Sequence, residues 1–523
     1  MAFLCALISA MLTGGLFAVS YPPFGQWWVA WLWALPLICR LWKPVPFGGW
    51  RLFLYGFRHG WLAGVFVFTG TIWWTAHVTG PGMIALCLYL ALYPAVWGAF
   101  AAMLRPETPW RGLASVIALA LLWCGLEWGR GVFPVLGFPW NGAAVPLVEM
   151  PGLRSLAAWG GVTALSVLPF LFMGGISASW MLRGHRSVRG RAVLLAVTLA
   201  TPAVLTLVTW QKSPPPSGHV QVLLVQPNVG MEDKLNPQNG QQRYEDLAML
   251  TMRGLQQAKQ KPALIVWPES ALPRPFHDPM HGEYFDALFK AGADTILTGA
   301  DALTAEGAGE GDWSAHNCAA LMRGSYDSFV LHAKVHLVPF GEYIPFRREL
   351  PFLEDMLGDL IPSDFTAGSS LEPLRVEGMN YEIIPLVCFE DTIARVARQF
   401  VRDRPQLMVN ITNDNWFAQS NESAIHALNA RWRCLELERP MIRSSNTGVT
   451  CVIDTEGRIT SELPRWKHGL LHASVPLTAG GITFYAAHGD VIPAGAGIAG
   501  LVLAGFLICN RRPAPDVRRN PSF

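Results

Sequence analysis

Apolar residues are strongly clustered along this chain. Seven long apolar runs precede residue 212, at roughly 3–19, 27–43, 59–78, 82–104, 112–130, 157–181 and 192–210, and an eighth lies at 491–509. A bilayer core takes about 20 mostly apolar residues as a helix, because each backbone N–H and C=O must find its partner inside the segment. The runs therefore predict eight transmembrane helices. The first run has no basic residues ahead of it and another span follows at once, so it is expected to be helix one rather than a cleaved leader.

Between the seventh and eighth runs the pattern changes. Short Val-, Ile- and Leu-rich stretches at 219–226, 262–267, 295–300, 328–335, 382–387 and 406–411 are mostly bounded by Pro, Gly, Asn or Asp, as buried strands are. Helical spacing separates them. It places Leu247, Leu250 and Leu255 together within 241–259, Ile393, Val396 and Phe400 after Cys388, and Ile425, Leu428, Trp432 and Leu435 within 422–438. Strands alternating with helices predict a layered α/β domain. The segment Lys212-Ser213-Pro214-Pro215-Pro216-Ser217-Gly218 is stiff enough to act as a spacer before it.

Charge follows the same division. Only Glu107, Glu127 and Glu149 of the chain's 38 carboxylates precede residue 211. Basic residues cluster between spans two and three (Arg40, Lys43, Arg51, Arg58), four and five (Arg105, Arg111), and six and seven (Arg183, Arg186, Arg189, Arg191), and again after span eight (Arg511, Arg512, Arg518, Arg519). Basic loops stay in the cytoplasm. All four clusters share one side if both termini are cytoplasmic, which puts 212–490 on the other face. A hydrophobic content of 51% and a charged content of 15% argue against disorder. A net charge of +2 gives no sign of nucleic-acid binding, and nine cysteines without a C-x-x-C pair suggest neither a zinc cluster nor a disulfide framework. No Gly-rich phosphate loop is visible, so no metal or other cofactor is expected.

Three short motifs end strands and could carry chemistry. In Val266-Trp267-Pro268-Glu269-Ser270 a carboxylate follows a buried strand, where it could act as a general base. On its own a surface loop acid is the commoner case. In Lys334-Val335-His336-Leu337-Val338-Pro339-Phe340-Gly341-Glu342-Tyr343 a lysine follows an apolar strand. It could stabilise an oxyanion or a neighbouring thiolate, or simply snorkel at the surface. His336 reads as a hydrogen-bonded structural residue. In Leu386-Val387-Cys388-Phe389-Glu390-Asp391 a cysteine ends a strand and opens an expected helix, whose amides and dipole would favour a thiolate. Most lone cysteines are small buried hydrophobes, but none of the other eight sits at a comparable turn.

Taken together, in this order and at these spacings, the three motifs resemble the nitrilase (carbon–nitrogen hydrolase) superfamily, whose Glu-Lys-Cys triad maps onto Glu269, Lys334 and Cys388. Asn413-Asp414-Asn415-Trp416-Phe417 and Arg443-Ser444-Ser445-Asn446-Thr447-Gly448 flank the helix at 422–438 as in that superfamily. With seven spans before such a domain and one after, the whole chain resembles the apolipoprotein N-acyltransferase family within it. The loop Gly137-Phe138-Pro139-Trp140-Asn141 fits that family too, whereas Pro227, Asn228, Leu235, Phe389 and Ala418 depart from its usual residues.

The resemblance implies an αββα sandwich on a polytopic membrane body. Residues 1–211 would form the membrane domain, 212–218 the linker, 219–487 a periplasmic catalytic domain, and 488–523 the last span with a basic cytoplasmic tail. Glu342, Phe389 and Glu390 would support the triad, and Trp140, Tyr343 and Trp416 would contact substrate. The implied reaction moves an acyl chain from a membrane phospholipid to the α-amino group of a diacylglyceryl-cysteine on an apolipoprotein, through a thioester on Cys388. The expected protein is a monomer in a bacterial inner membrane. Residues 345–366 carry too many apolar groups for a solvated loop. They read equally as a helix packed on its own domain or as an arm dipping into the bilayer. The rivals are a membrane-tethered amidase passing the acyl group to water and a transporter or lipid-binding scaffold. The intact triad, and a membrane half whose one close charged pair is Glu127 and Arg130, weigh against the scaffold.

Overall fold

The computed structural model describes residues 2–209, 215–305, 313–358 and 363–511. Residues 212–214 of the Pro-rich segment, Leu360 and Ile361 of the apolar stretch, and the tail arginines from Arg512 onward lie outside them.

Five helices among the described residues are long and apolar enough to cross a bilayer: Phe3–Ser20, Gly80–Met103, Pro109–Val132, Val188–Leu207 and Val491–Cys509. The pair Ala157–Leu165 and Val167–Met181, bent by 49°, makes a sixth if it counts as one span. The expected eight are not reached, for two physical reasons. The run at 27–43 folds as a 3-10 turn, Trp27–Trp31, and a seven-residue helix, Leu35–Leu41, too short to span. The run at 59–78 belongs to a 24-residue helix, Gly49–Ile72, that starts well before it. Arg51, Arg58 and His59 within that helix dilute its apolar character.

Small residues let these helices approach closely, as is usual in lipid. Gly56, Gly60 and Gly64 form a stripe along Gly49–Ile72. A Cβ at Gly60 would lie 2.2 Å from the carbonyl oxygen of Pro94. The C-terminal helix Val491–Cys509 meets Pro109–Val132 in the same way, with Gly497 against Gly125. Arg511 donates to Glu107 Oε1 at 2.9 Å and Arg111 donates to the Leu507 carbonyl at 2.9 Å, so two of the basic clusters share one end of the body. Gly190 packs on Pro109 at that end, bringing the third cluster, 183–191, beside them.

The extramembrane unit contains β1 (Pro216–Gln226), β2 (Leu264–Val266), β3 (Thr295–Ala305), β4 (Trp313–Arg323), β5 (Ser325–Ala333), β6 (Glu382–Val387), β7 (Gln406–Thr412), β8 (Met441–Ser445), β9 (Cys451–Ile453), β10 (Ile459–Glu462) and β11 (Gly469–Thr478). One sheet runs β11-β1-β2-β3-β4-β5 and the other β10-β9-β8-β7-β6. In both, the central strands are parallel, so their carboxyl ends share one edge. Side chains alternate across each strand. Val220, Val222 and Leu224 of β1 pack between the sheets against Ile383, Val409 and Ile442, while Leu223 and Val225 pack outward under helices Gly240–Gln257 and Met280–Lys290. Helix Glu422–Leu437 covers the second sheet, closing an αββα sandwich.

That same helix seats the sandwich on the membrane body. Its Trp432 indole donates to the Val145 carbonyl at 2.9 Å, and its Glu436 accepts from the Val162 N–H at 2.8 Å. Arg431 pairs with Glu149. Helix Pro109–Val132 connects this seat with the basic clusters, with Arg111 in its first turn and, further along, Glu127 accepting from Ala143 N–H beside Val145.

The expected strands at 219–226, 295–300, 328–335, 382–387 and 406–411 are present with bounds shifted by a few residues, and 262–267 is reduced to the three residues of β2. The expected helix after Cys388 is not continuous. Cys388–Thr392 is a 3-10 turn, followed by a four-residue helix, Ala394–Ala397, and another 3-10 turn, Arg398–Phe400. Ile393, Val396 and Phe400 still share one core. The last part of the Pro-rich segment, Pro216–Gly218, is already paired strand against β11.

Candidate active site

The three motif residues come from three strand ends that converge on one edge of the sandwich. Glu269 follows β2, in a turn that approaches β3 closely: a Cβ at Gly299 would stand 2.5 Å from Glu269 Cα, so only glycine fits there. The ladder continues past β2 through Gly299 N–H to Pro268 O at 3.1 Å, which fixes the turn. Lys334 follows β5, and its own N–H donates to the Asn317 carbonyl at 2.8 Å.

Cys388 follows β6 with φ +54°, a left-handed conformation that costs a residue with a Cβ about 1–2 kcal/mol. Glu390 holds this turn in place. One of its oxygens accepts from the N–H groups of Val335 (2.8 Å) and His336 (2.9 Å), and the other accepts from Val387 N–H at 2.9 Å. A single carboxylate thus ties the segment of Lys334 to the segment of Cys388.

The charged groups are almost wholly buried. Lys334 is 1% exposed and Glu269 8%. Lys334 Nζ lies 2.8 Å from Glu342 Oε1 and 4.0 Å from Glu269 Oε1. Asn317 Nδ2 donates to both carboxylates, at 2.7 Å to Glu269 and 3.0 Å to Glu342. The second oxygen of Glu269 accepts from Asn413 N–H at 2.9 Å, and that of Glu342 from Val338 N–H at 2.8 Å. Burial opposes the Lys334 charge, but Glu342, Cys388, Glu269 and Glu390 outweigh it and hold the ammonium above its ordinary value. Burial pushes Glu390 up to about 7, against the pull of Lys334 and the three amides.

The thiol corrects one expectation. Burial, reinforced by Glu269, pushes Cys388 up to about 12, with Lys334 and His426 acting in the opposite direction. The resting group is therefore a neutral thiol. A five-residue 3-10 turn has too few aligned peptides to act as the expected helix dipole.

The other expected residues divide by exposure. Tyr343 is half-buried and Trp416 is exposed. Trp140 is buried. Its indole N–H donates to Thr392 Oγ1 at 2.9 Å and its ring packs 5.2 Å from Trp74, so it is packed between the membrane body and the turn after Cys388. Phe389 is half-buried, and its ring lies 5.8 Å from that of His336. The apolar stretch after Tyr343 contains a short helix, Pro351–Leu357, and Phe346, Leu350 and Phe352 are exposed.

Asn317 and His426 were not singled out from the sequence, and Asn413 and Asp391 entered there only as members of motifs, without a role. Asn413 acts through its backbone, which leaves no trace in residue identity. Asn317 lies on β4, a strand the pattern did not reveal. Among the described residues, Asp414, Glu422 and His426 have donor atoms close enough together to hold a cation. In this structure both His426 ring nitrogens are already bonded to carboxylates.

The profile of the apolipoprotein N-acyltransferase N-terminal domain matches residues 13–175, and that of carbon–nitrogen hydrolase matches 224–481. A protein of Geobacter metallireducens named apolipoprotein N-acyltransferase is 31% identical over 97% of this chain and 95% of its own length. The chain belongs to the apolipoprotein N-acyltransferase family. Relatives of the same name from Azotobacter vinelandii (32% identity, 89% of this chain, 88% of theirs) and Photobacterium profundum (29%, 91% and 90%) extend the match. Solved structures similar to the sandwich include an amidase from Nesterenkonia sp. AN1 with acrylamide (15% identity, TM-score 0.36, 50% of this chain and 92% of that one) and a carbon–nitrogen hydrolase from Helicobacter pylori (16%, 0.35, 56% and 96%). As a member of the family, with helices that can cross a bilayer, it is an enzyme and a bacterial membrane protein.

Proposed function

We propose that the protein transfers an acyl chain from a membrane phospholipid to the α-amino group of a diacylglyceryl-cysteine at an apolipoprotein N-terminus. The observation that carries this reading is the buried Glu269–Lys334–Glu342 cluster at the same edge of the sandwich as the Cys388 turn, in a sandwich seated on a membrane body.

Glu269 takes the thiol proton as sulfur attacks the ester carbonyl carbon. The carbonyl π pair moves to oxygen, where Lys334 and the Phe389 N–H receive it. An ammonium has three protons, so Lys334 can bond Glu342 and still face an oxyanion. Collapse breaks the ester C–O bond, Glu269 returns its proton to the leaving lysophospholipid, and a thioester remains on Cys388. The acceptor amine then attacks, Glu269 takes one of its protons, and the departing sulfur recovers it as the amide forms.

An amine is a better nucleophile than water toward a thioester, and a site next to lipid keeps water scarce. That favours transfer over the hydrolase alternative. The gathering of Arg111, Arg511 and the 183–191 loop at one end of the membrane body supports an inner-membrane topology with cytoplasmic termini and a periplasmic catalytic domain. One chain supplies every group named, which is consistent with a monomer.

Mass spectrometry of the purified protein in phospholipid tests the proposal. A Cys388 peptide carrying an acyl chain is expected, and it should disappear on addition of a diacylglyceryl lipopeptide as the amide product forms. Release of the chain as free fatty acid at the same rate with and without lipopeptide would favour the hydrolase. An acyl adduct persisting in Cys388→Ala would sink the nucleophile assignment.

A further inference from the structure

A cleft of about 470 Å³ lies where the sandwich meets the membrane body. One wall is the turn after helix Phe3–Ser20 together with Pro146 and Glu149. The other is helix Glu422–Leu437 with β10 and the residues that follow it. Its volume falls among those of small-molecule sites, about 300–1,000 Å³.

The cleft and the Cys388 turn use opposite faces of one helix. Ala424, Ala427, Leu428 and Arg431 line the cleft, at the i, i+3, i+4, i+7 spacing of a single stripe. His426 and Arg433 point the other way, where they reach Asp391 and the Thr392 carbonyl beside Cys388. The cleft is therefore separate from the site of Glu269, Lys334 and Cys388.

Its level and its charge indicate what it takes. The turn that walls it carries Phe24 and Trp28, 60% and 51% exposed, on either side of the lining residues Gly25 and Trp27. Exposed aromatics at the end of a spanning helix mark a bilayer–water interface. The charged lining is balanced, with Arg431 and Arg465 against Glu149 and Glu462. Arg431 is committed: it pairs with Glu149, and its Nε donates to the Gly457 carbonyl at 2.6 Å. Arg465 lies over the Trp466 ring at 4.4 Å and donates to Ser423 Oγ at 3.3 Å, a bond that uses one of the five N–H donors of a guanidinium. Glu462 is exposed. An anionic guest would find a partner in Arg465 and repulsion from Glu462. A guest with both a phosphate and an ammonium would find a partner for each. Trp27, Leu428 and Leu463 add apolar surface beside these charges.

We propose that this cleft binds the headgroup of a zwitterionic phospholipid from the leaflet on the sandwich side, with its phosphate on Arg465, its ammonium at Glu462 and the glycerol end of its chains over Trp27 and Leu428. This lipid is not the acyl donor. It stays in place and joins the two walls of the seat. The proposal does not depend on acyl transfer, because no group at Cys388 takes part in it.

The test uses full-length Cys388→Ala protein in detergent, so that no acyl chain can move to the thiol. Native mass spectrometry counts bound phosphatidylethanolamine or phosphatidylglycerol. A phosphatidylethanolamine with a diazirine near the glycerol end of one chain locates the bound lipid by photocrosslinking. One phosphatidylethanolamine is expected to be held more tightly than phosphatidylglycerol, with crosslinks in 20–28 and 424–431. Arg465→Gln should weaken it about tenfold, the worth of one charge-assisted hydrogen bond. Glu462→Gln should weaken phosphatidylethanolamine and strengthen phosphatidylglycerol, because the lining then carries a net positive charge. Merely structural roles would shift unfolding and leave the order of the two lipids alone. Glu462 is exposed, so its variant carries the test if Arg465→Gln fails to fold. Equal retention of the two lipids, an unchanged order in Glu462→Gln, or crosslinks confined to the segments around Cys388 would each overturn the proposal. So would displacement of the lipid by an equal concentration of soluble phosphoethanolamine, which would assign the cleft to a water-borne ligand.

Discussion

Lys334 Nζ is 2.8 Å from Glu342 Oε1, closer than the 4.0 Å to the proposed base Glu269. Glu342 is thus the nearer partner of the ammonium. Replacing Glu342 by Gln removes that charged partner. Lys334 should then draw toward Glu269 and occupy the proposed base. Cys388 acylation from phospholipid is expected to fall by about 10²-fold, the lower end of what a general base contributes. Thermal unfolding should also come earlier, because breaking a buried ion pair costs about 3–5 kcal/mol. Unchanged acylation in a folded Glu342→Gln protein would remove Glu342 from the machinery.

Glu390 is expected to leave a signature in stability against pH. Its ordinary value of 4.5 is pushed up to about 7 by burial. Between those values the folded protein holds a proton that the unfolded chain has released, so stability falls as pH rises through this window and levels off above it. The slope for one such group is about 1.4 kcal/mol per pH unit. Thermal inactivation rates from pH 4.5 to 7.5, compared with Glu390→Gln, isolate this group from other buried acids. If stability instead rises relative to the variant, the three amides that bond Glu390 outweigh its burial.

What could be read in advance depended on whether a residue acts through its side chain at a strand end. Glu269, Lys334 and Cys388 each follow a β-rich run with a visible boundary, but their convergence was an expectation from the superfamily resemblance, since each motif alone has a commoner structural reading. Asn317 was not legible, because β4 reads Trp-Ser-Ala-His-Asn-Cys-Ala-Ala-Leu-Met-Arg and has none of the β-branched residues that mark a strand. The helix expected after Cys388 failed for a local reason: the positive φ of Cys388 and the bond from Glu390 to the Val387 N–H close a tighter turn than an α-helix would. The run at 27–43 does not form one long helix, and its Trp33, Leu37 and Ile38 pack inside the helical body.

Trp140 and Trp416 were grouped from sequence but lie in opposite environments. Trp140 is 4% exposed and Trp416 is 51% exposed. Trp140→Ala should destabilise the protein by about 3–5 kcal/mol, the range for truncating a buried aromatic. It should also loosen the seat of the sandwich, detected as faster proteolysis between the membrane body and the catalytic unit. Trp416→Ala should leave the unfolding temperature within a degree or two and raise the concentration of lipid substrate needed for half-maximal rate. If Trp416→Ala unfolds early with unchanged substrate dependence, its role is structural instead.

The exposed apolar side chains after Tyr343 give the last expectation. Phe346 and Phe352 are both more than half exposed, on the segment that leaves Glu342 and carries the helix Pro351–Leu357. Such rings in water are a standing cost of roughly 1.5–3 kcal/mol each unless something apolar covers them. In a bilayer-seated enzyme the nearest cover is the lipid surface. The double variant Phe346→Ser, Phe352→Ser should therefore bind phospholipid vesicles less tightly through this arm and slow Cys388 acylation from vesicles several-fold. The alkylation rate of the same thiol by iodoacetamide should not change, because that reagent arrives through water. Equal slowing of both reactions would mean that the segment shapes the site itself and does not deliver lipid to it.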